Sequence, residues 1–217
     1  MSSFVKRSLV LVAGLFVLGA GVGFSVAASL GVSPVSCLPY VLSRKFPVSL
    51  GTLTILMHSL LLAAQVVILK KEFKPLQLFQ LAVTFIFGFF TDLGVTLTSV
   101  FRAGDYPGQW VLCLVSCPVI ALGVALEVKA GLIVLPMEGL LSVLSRKTGK
   151  EFGQIKVMFD TALVALAVVL SLLFFGELRG VREGTLFSAV VIGFIVRWIN
   201  PRLRFLEDWF MQEKGAA

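Results

Sequence analysis

Six apolar runs, at about residues 8–28, 50–69, 76–100, 109–127, 152–175 and 184–200, constrain this chain more than any other feature. An α-helix crosses a bilayer with roughly 17 to 25 predominantly apolar residues, and each run meets that length. Charge, Pro or Gly bounds them: Lys70-Lys71-Glu72, Arg102/Asp105/Pro107, Lys150-Glu151, Glu177/Arg179/Arg182/Glu183 and Pro201-Arg202. With six spans in 217 residues only short connections remain, so a water-soluble catalytic domain has no room, and ATPase, kinase and Rossmann readings are excluded. A content of 58% apolar and 14% charged residues agrees. The first run, preceded by Lys6-Arg7, invites comparison with a secretory signal, but it is longer than a signal's apolar core and reads as the first transmembrane helix. The expected fold is an all-α membrane protein forming a single membrane domain over 1–217.

Two shorter apolar stretches, 30–43 and 132–145, each contain an early proline (Pro34, Pro136) and close on Arg-Lys. They are too short for a straight crossing and suit broken or re-entrant helices. Sliding the chain against itself by 102 residues lays residues 21–59 on 123–161 without a gap. Gly21-Val22 meets Gly123-Val124, Pro34 meets Pro136, Leu42-Ser43-Arg44-Lys45 meets Leu144-Ser145-Arg146-Lys147, and Gly51 meets Gly153. Fourteen of the 39 pairs are identical, against roughly four expected for unrelated apolar segments. A further three-residue shift matches Gly88 with Gly193 and Asp92 with Arg197. The chain therefore reads as two repeats, about 8–100 and 109–204, each ordered long, short, long, long.

If the short elements re-enter, each half crosses three times and the second half is inverted. One face then carries Lys6, Arg7, Lys70, Lys71, Lys74, Arg146, Lys147, Lys150, Arg202, Arg204 and Lys214, and the other Arg44, Lys45, Arg102, Arg179 and Arg182. That bias places both termini in the cytoplasm of a multi-pass protein of the bacterial inner membrane. Full crossings would make the halves parallel and leave the count almost unchanged. The inverted arrangement is the expected one, because short Pro-interrupted stretches fall at matching positions in both halves.

The order Leu30-Gly31-Val32-Ser33-Pro34, Leu42-Ser43-Arg44-Lys45, Val48-Ser49-Leu50-Gly51-Thr52 and Phe85-Ile86-Phe87-Gly88-Phe89-Phe90-Thr91-Asp92 resembles the bacterial YczE/YyaS/YitT membrane proteins over nearly the whole chain. The resemblance implies a compact polytopic helical protein without a soluble domain. Without the cytoplasmic C-terminal domain of the YitT branch, it is similar to the shorter YczE-like members. The resemblance supplies architecture and little chemistry.

Charged groups at membrane depth cost about 2.5–3.5 kcal/mol on insertion scales, so each requires a partner or a water-lined cavity. His58, the single histidine, and Asp160 hold equivalent places in the two halves and are candidates for a protonatable pair across a pseudo-twofold axis. Glu127 and Lys129 flank the start of the second Pro-led segment and either line a cavity or pair with one another. Glu138 follows Pro136 by two residues, as Ser36 follows Pro34, and Ser33, Ser36 and Glu138 are candidate cavity-lining groups at broken helices. Asp92 and Arg197 either bridge the halves or mark membrane boundaries. Gln65, Gln77 and Gln80 either line a cavity or are solvated. Gly14, Gly19, Gly21 and Gly23 form a small-residue face suited to close helix packing, including a homodimer contact. Cys37, Cys113 and Cys117 read as small buried residues, although Cys113 and Cys117 stand one turn apart.

No HExxH, GxSxG or Walker sequence is present, so an enzyme is not expected, and neither is a cofactor or metal. The net charge of +7 lies in short clusters beside the apolar runs, where lipid headgroups and not nucleic acid are the partner. These features point to a small-solute transporter with alternating access around Ser33, Ser36, His58, Glu127, Glu138 and Asp160, with proton coupling. The competing expectation is a membrane scaffold or regulatory subunit that assists another protein.

Overall fold

The structure, a computed structural model, describes residues 2–101 and 103–211. Arg102 and Lys214, both used in the charge count, lie outside the described residues. The long helices are α1 (Ser3–Ala28), α3 (Leu50–Leu69), α4 (Phe79–Thr98), α5 (Tyr106–Ala130), α7 (Phe152–Phe175) and α8 (Glu183–Ile199); the short ones are α2 (Pro34–Lys45), α6 (Pro136–Thr148) and α9 (Arg204–Met211). Among the described residues six helical stretches are long and apolar enough to cross a membrane, and no strand occurs.

The helix boundaries keep the 102-residue offset of the sequence. α1 and α5 end on Ala28 and Ala130, and the chain then turns through left-handed residues, Ser29 (φ 55°) and Gly131 (φ 61°). That conformation stops a helix and redirects the chain. α2 and α6 then begin with Pro34 and Pro136, whose fixed φ and missing N–H suit the first helical position. α9 was not anticipated: its two turns are too short for a periodicity signal, yet Phe210 is buried at 1% exposure against α1 and its neighbours.

α1 is the centre of the bundle, packed along α4 on one side and α5 on the other. Its small residues allow this. A Cβ on Gly19 would strike the backbone at Phe90 and one on Gly23 the backbone of Gly94, while Gly14 and Gly21 face α5 at Glu127 and Ile120. The contacts climb together along α1 and α4 and run oppositely along α1 and α5, so α4 is parallel to α1 and α5 is antiparallel. The small-residue face is therefore covered within the chain, and a dimer through it would have to displace α4 or α5.

Contacts at the helix ends show which ends share a face. Arg7 donates to the Ala130 carbonyl at 3.0 Å, and Glu72 pairs with Arg146 and Lys147, which puts the start of α1 and the ends of α3, α5 and α6 on one face. On the opposite face Arg182 donates to Ser29 O (3.0 Å), Val32 N–H to Gly180 O (3.0 Å), and Phe46 packs on Phe174. Both ends of α2 thus lie beside the end of α7. α6 starts at the depth of Glu127 and Gln65, about a turn inside the ends of α5 and α3, and ends beside Glu72 on that same face. Neither short helix crosses. Each packs on a long helix of the other half, α2 on α7 and α6 on α3.

Candidate solute site

The start of α6 gathers the polar groups of the interior. Glu127, 2% exposed, accepts the Leu135 N–H at 2.7 Å through Oε1, holding the residue at the N-cap of α6. Gln65, fully buried, donates through Nε2 to the Pro136 carbonyl (2.9 Å) and to Oε1 of Gln80 (3.1 Å). Both glutamines press on Gly139, where a Cβ would stand 2.8 Å from Gln65 Oε1 and 2.9 Å from Gln80 Nε2. A Cβ there would have to push the two amide ends aside, so the glycine eases this close approach of α6.

Glu138 lies in the first turn of α6, and its Oε2 is buried without a hydrogen-bond partner among the described residues. It stands within electrostatic range of Glu127, Lys156 and Asp160. Asp160 accepts from Lys156, one turn earlier on α7, at 2.9 Å through Oδ2, while its Oδ1 is buried and unpartnered among the described residues. Asp160 is also within electrostatic range of Cys37 in the first turn of α2, so it stands between the two short helices. Three carboxyl groups share this region with one ammonium. That excess of acid favours a cation or a strong hydrogen-bond donor over an anion.

The remaining expectations divide. Glu127 and Asp160 each lie within electrostatic range of Glu138, but His58 does not join them. Its ring is 1% exposed, lies edge-on to Phe87 at 5.9 Å between centroids, and neither nitrogen has a hydrogen-bond partner among the described residues. The expected His58–Asp160 pair is therefore not formed: α3 turns His58 toward α4, and Lys156 on the same helix takes Asp160. Ser33 donates to Ser36 Oγ at 3.1 Å, closing a local turn at the start of α2 on the other face. Glu127 and Lys129 do not pair, because Lys129 reaches Glu207 on α9. Asp92 does not meet Arg197 but accepts from Ser49 Oγ (2.6 Å) and Gly51 N–H (2.7 Å) at the start of α3. Gln65 and Gln80 belong to the site, whereas Gln77 accepts the Lys74 N–H in a surface turn.

Two clefts, of about 370 and 290 Å³, lie on the opposite face, around the end of α1 with Tyr40 and Arg44. They are separate from the acidic cluster. Cys37, Cys113 and Cys117 are all buried and free.

Six helices long and apolar enough to span, enclosing polar side chains, with two short helices that each end on the face they start beside, define a polytopic helical membrane protein. Within that class the chain belongs to a family of unknown function (DUF6198), whose model matches residues 5–201. It is similar to the "Uncharacterized membrane protein YczE" of Bacillus subtilis (strain 168), with 25% identity over 220 residues that cover 98% of this chain and 96% of the relative. No solved structure matches it.

Proposed function

We propose that this protein is a small-solute transporter of the bacterial cytoplasmic membrane, built from two inverted repeats that alternate access to the cluster of Glu127, Glu138, Lys156 and Asp160. The buried, unpartnered oxygens of Glu138 and Asp160 carry this reading. An acceptor left unpaired in a low-dielectric interior costs about 1–3 kcal/mol, and a ligand that supplies the donor recovers it. The cluster takes a solute bearing a positive charge or several N–H or O–H donors. Proton coupling follows from the same groups, since a carboxyl that releases the solute can take a proton in its place. The antiparallel packing of α1 and α5 and the paired short helices support the inverted repeats. The concentration of Lys and Arg on the face that holds the start of α1 supports cytoplasmic termini.

The test is a thermal-shift panel of inorganic cations, organic amines, amino acids and anions on the purified protein, followed by uptake into proteoliposomes with and without a pH gradient. A cationic or amine-bearing solute should raise the melting temperature. Glu138→Gln or Asp160→Asn should weaken its binding about tenfold or more, while His58→Gln leaves it unchanged. A solute bound equally by wild type and both carboxyl variants would move the site elsewhere. The second reading, a scaffold for another membrane protein, is favoured by the largely exposed lengths of α7 and α8. Binding without uptake would support it.

A further inference from the structure

The two halves hold matching residues in different ways. In the first half α3 and α4 are seated on each other. A Cβ on Gly51 would overlap the Gly88 carbonyl, and one on Gly88 would strike Ile55 and, at 2.8 Å, the Gly51 carbonyl. Asp92 closes the contact by accepting from Ser49 Oγ and Gly51 N–H. The offsets of 102 and 105 residues carry Ser49, Gly51, Gly88 and Asp92 onto Glu151, Gly153, Gly193 and Arg197. There the contact is missing. All four residues are exposed, a Cβ on Gly153 or Gly193 would meet nothing within 4 Å, and α7 and α8 share almost no packing although only a short loop joins them.

The charges are complementary nonetheless. Where the first half joins a hydroxyl donor to a carboxylate, the second places a carboxylate at the N-cap of α7 (Glu151) and a guanidinium near the end of α8 (Arg197). Donor and acceptor have exchanged helices. We propose that α8 closes on α7 by seating Gly193 against Gly153, clasped by a Glu151–Arg197 ion pair, and that this movement is the gate over the acidic cluster. Lys156 lies one turn beyond Gly153 on the same helix, and its side chain is 41% exposed. The pivot is the first turn of α8, held where Gly184 N–H donates to Leu30 O at 2.8 Å. The far part of α8 rests on α5, from which closure parts it, and is tethered through α9 by Lys6 to the Trp209 carbonyl (2.9 Å) and Lys129 to Glu207. The role as a gate rests on the transporter reading; the closure does not.

Cysteine pairs in native membranes test the closure without any solute. Cys37, Cys113 and Cys117 are buried, and mass spectrometry of the oxidised product identifies which residues are joined. With copper phenanthroline, the pair Gly153→Cys and Gly193→Cys should link within one chain, and the pair Gly153→Cys and Leu186→Cys, nearer the pivot, should not. In the first pair's background Glu151→Arg should slow linking about threefold, and adding Arg197→Glu should restore it. Glu207→Ala, which releases α9, should speed it. Equal rates for the two pairs, or a link only between chains, would overturn the closure, and failure of the charge swap to restore linking would overturn the clasp. Intramolecular linking with no solute transported would leave the closure standing and refute the transporter reading.

Discussion

At the scale of single residues the interior is governed by which backbone groups need a partner. The N–H of Leu135 lies at the buried start of α6, and Glu127 satisfies it from the neighbouring helix. Glu127→Gln keeps an acceptor oxygen in place and should leave stability nearly unchanged. Glu127→Ala leaves that N–H unpaired and should cost about 1–3 kcal/mol, read as a lower melting temperature in detergent micelles; equal effects of the two substitutions would show that the contact is not structural. Glu127, Glu138 and Asp160 were legible as candidates because charge inside an apolar run stands out. Gln65 and Gln80 were harder to assign, since an amide near a helix end is usually solvated, and only the close approach of α6 at Gly139 buries them. The pairing of His58 with Asp160 was suggested by repeat equivalence, which matches backbone positions but not side-chain directions. The competing signal is Lys156 four residues before Asp160, a spacing that sets the two side chains together on one helix face.

At the scale of elements, small residues determine which helices touch, because association within a bilayer depends on close packing more than on hydrophobicity. The matching glycines allow a direct comparison of the halves. Gly51→Ala forces a methyl into the Gly88 carbonyl and should destabilise the protein by about 1–3 kcal/mol. Gly153→Ala meets open space and should change stability by no more than about 1 kcal/mol, in the favourable direction expected of Ala over Gly in a helix. Reversible unfolding in mixed micelles measures both, and similar losses would mean that α8 rests against α7 in solution. The Gly-rich stretch of α1 was legible as a packing surface; that α4 and α5 are what cover it follows from the parallel and antiparallel courses of those helices.

At the scale of the whole molecule the re-entrant course of the short helices sets the topology. Cysteines placed at Ser29 and Phe46, both exposed and lying before and after α2, should both react with an impermeant maleimide added to intact spheroplasts. Cysteines at Gly131 and Thr148, which flank α6, should react only after permeabilisation. Labelling of Ser29 and Phe46 from opposite sides would establish a full crossing and parallel halves. The length and hydropathy of the runs by themselves determined the medium, the six spans and the two short Pro-led helices, because a backbone in hydrocarbon has to satisfy its own hydrogen bonds and is thereby limited to helices of readable length. The sequence match at an offset of 102 residues also marked which positions to compare. Charge counting could not decide whether the short helices cross, because both topologies carry nearly the same bias. Only tertiary contacts decided that, through Gly180, Arg182 and Phe174 beside α2 and Glu72, Gln65 and Glu127 beside α6. They also decided which polar groups meet, because side-chain direction and helix separation depend on how six apolar cylinders pack, and residues far apart in the chain set that packing.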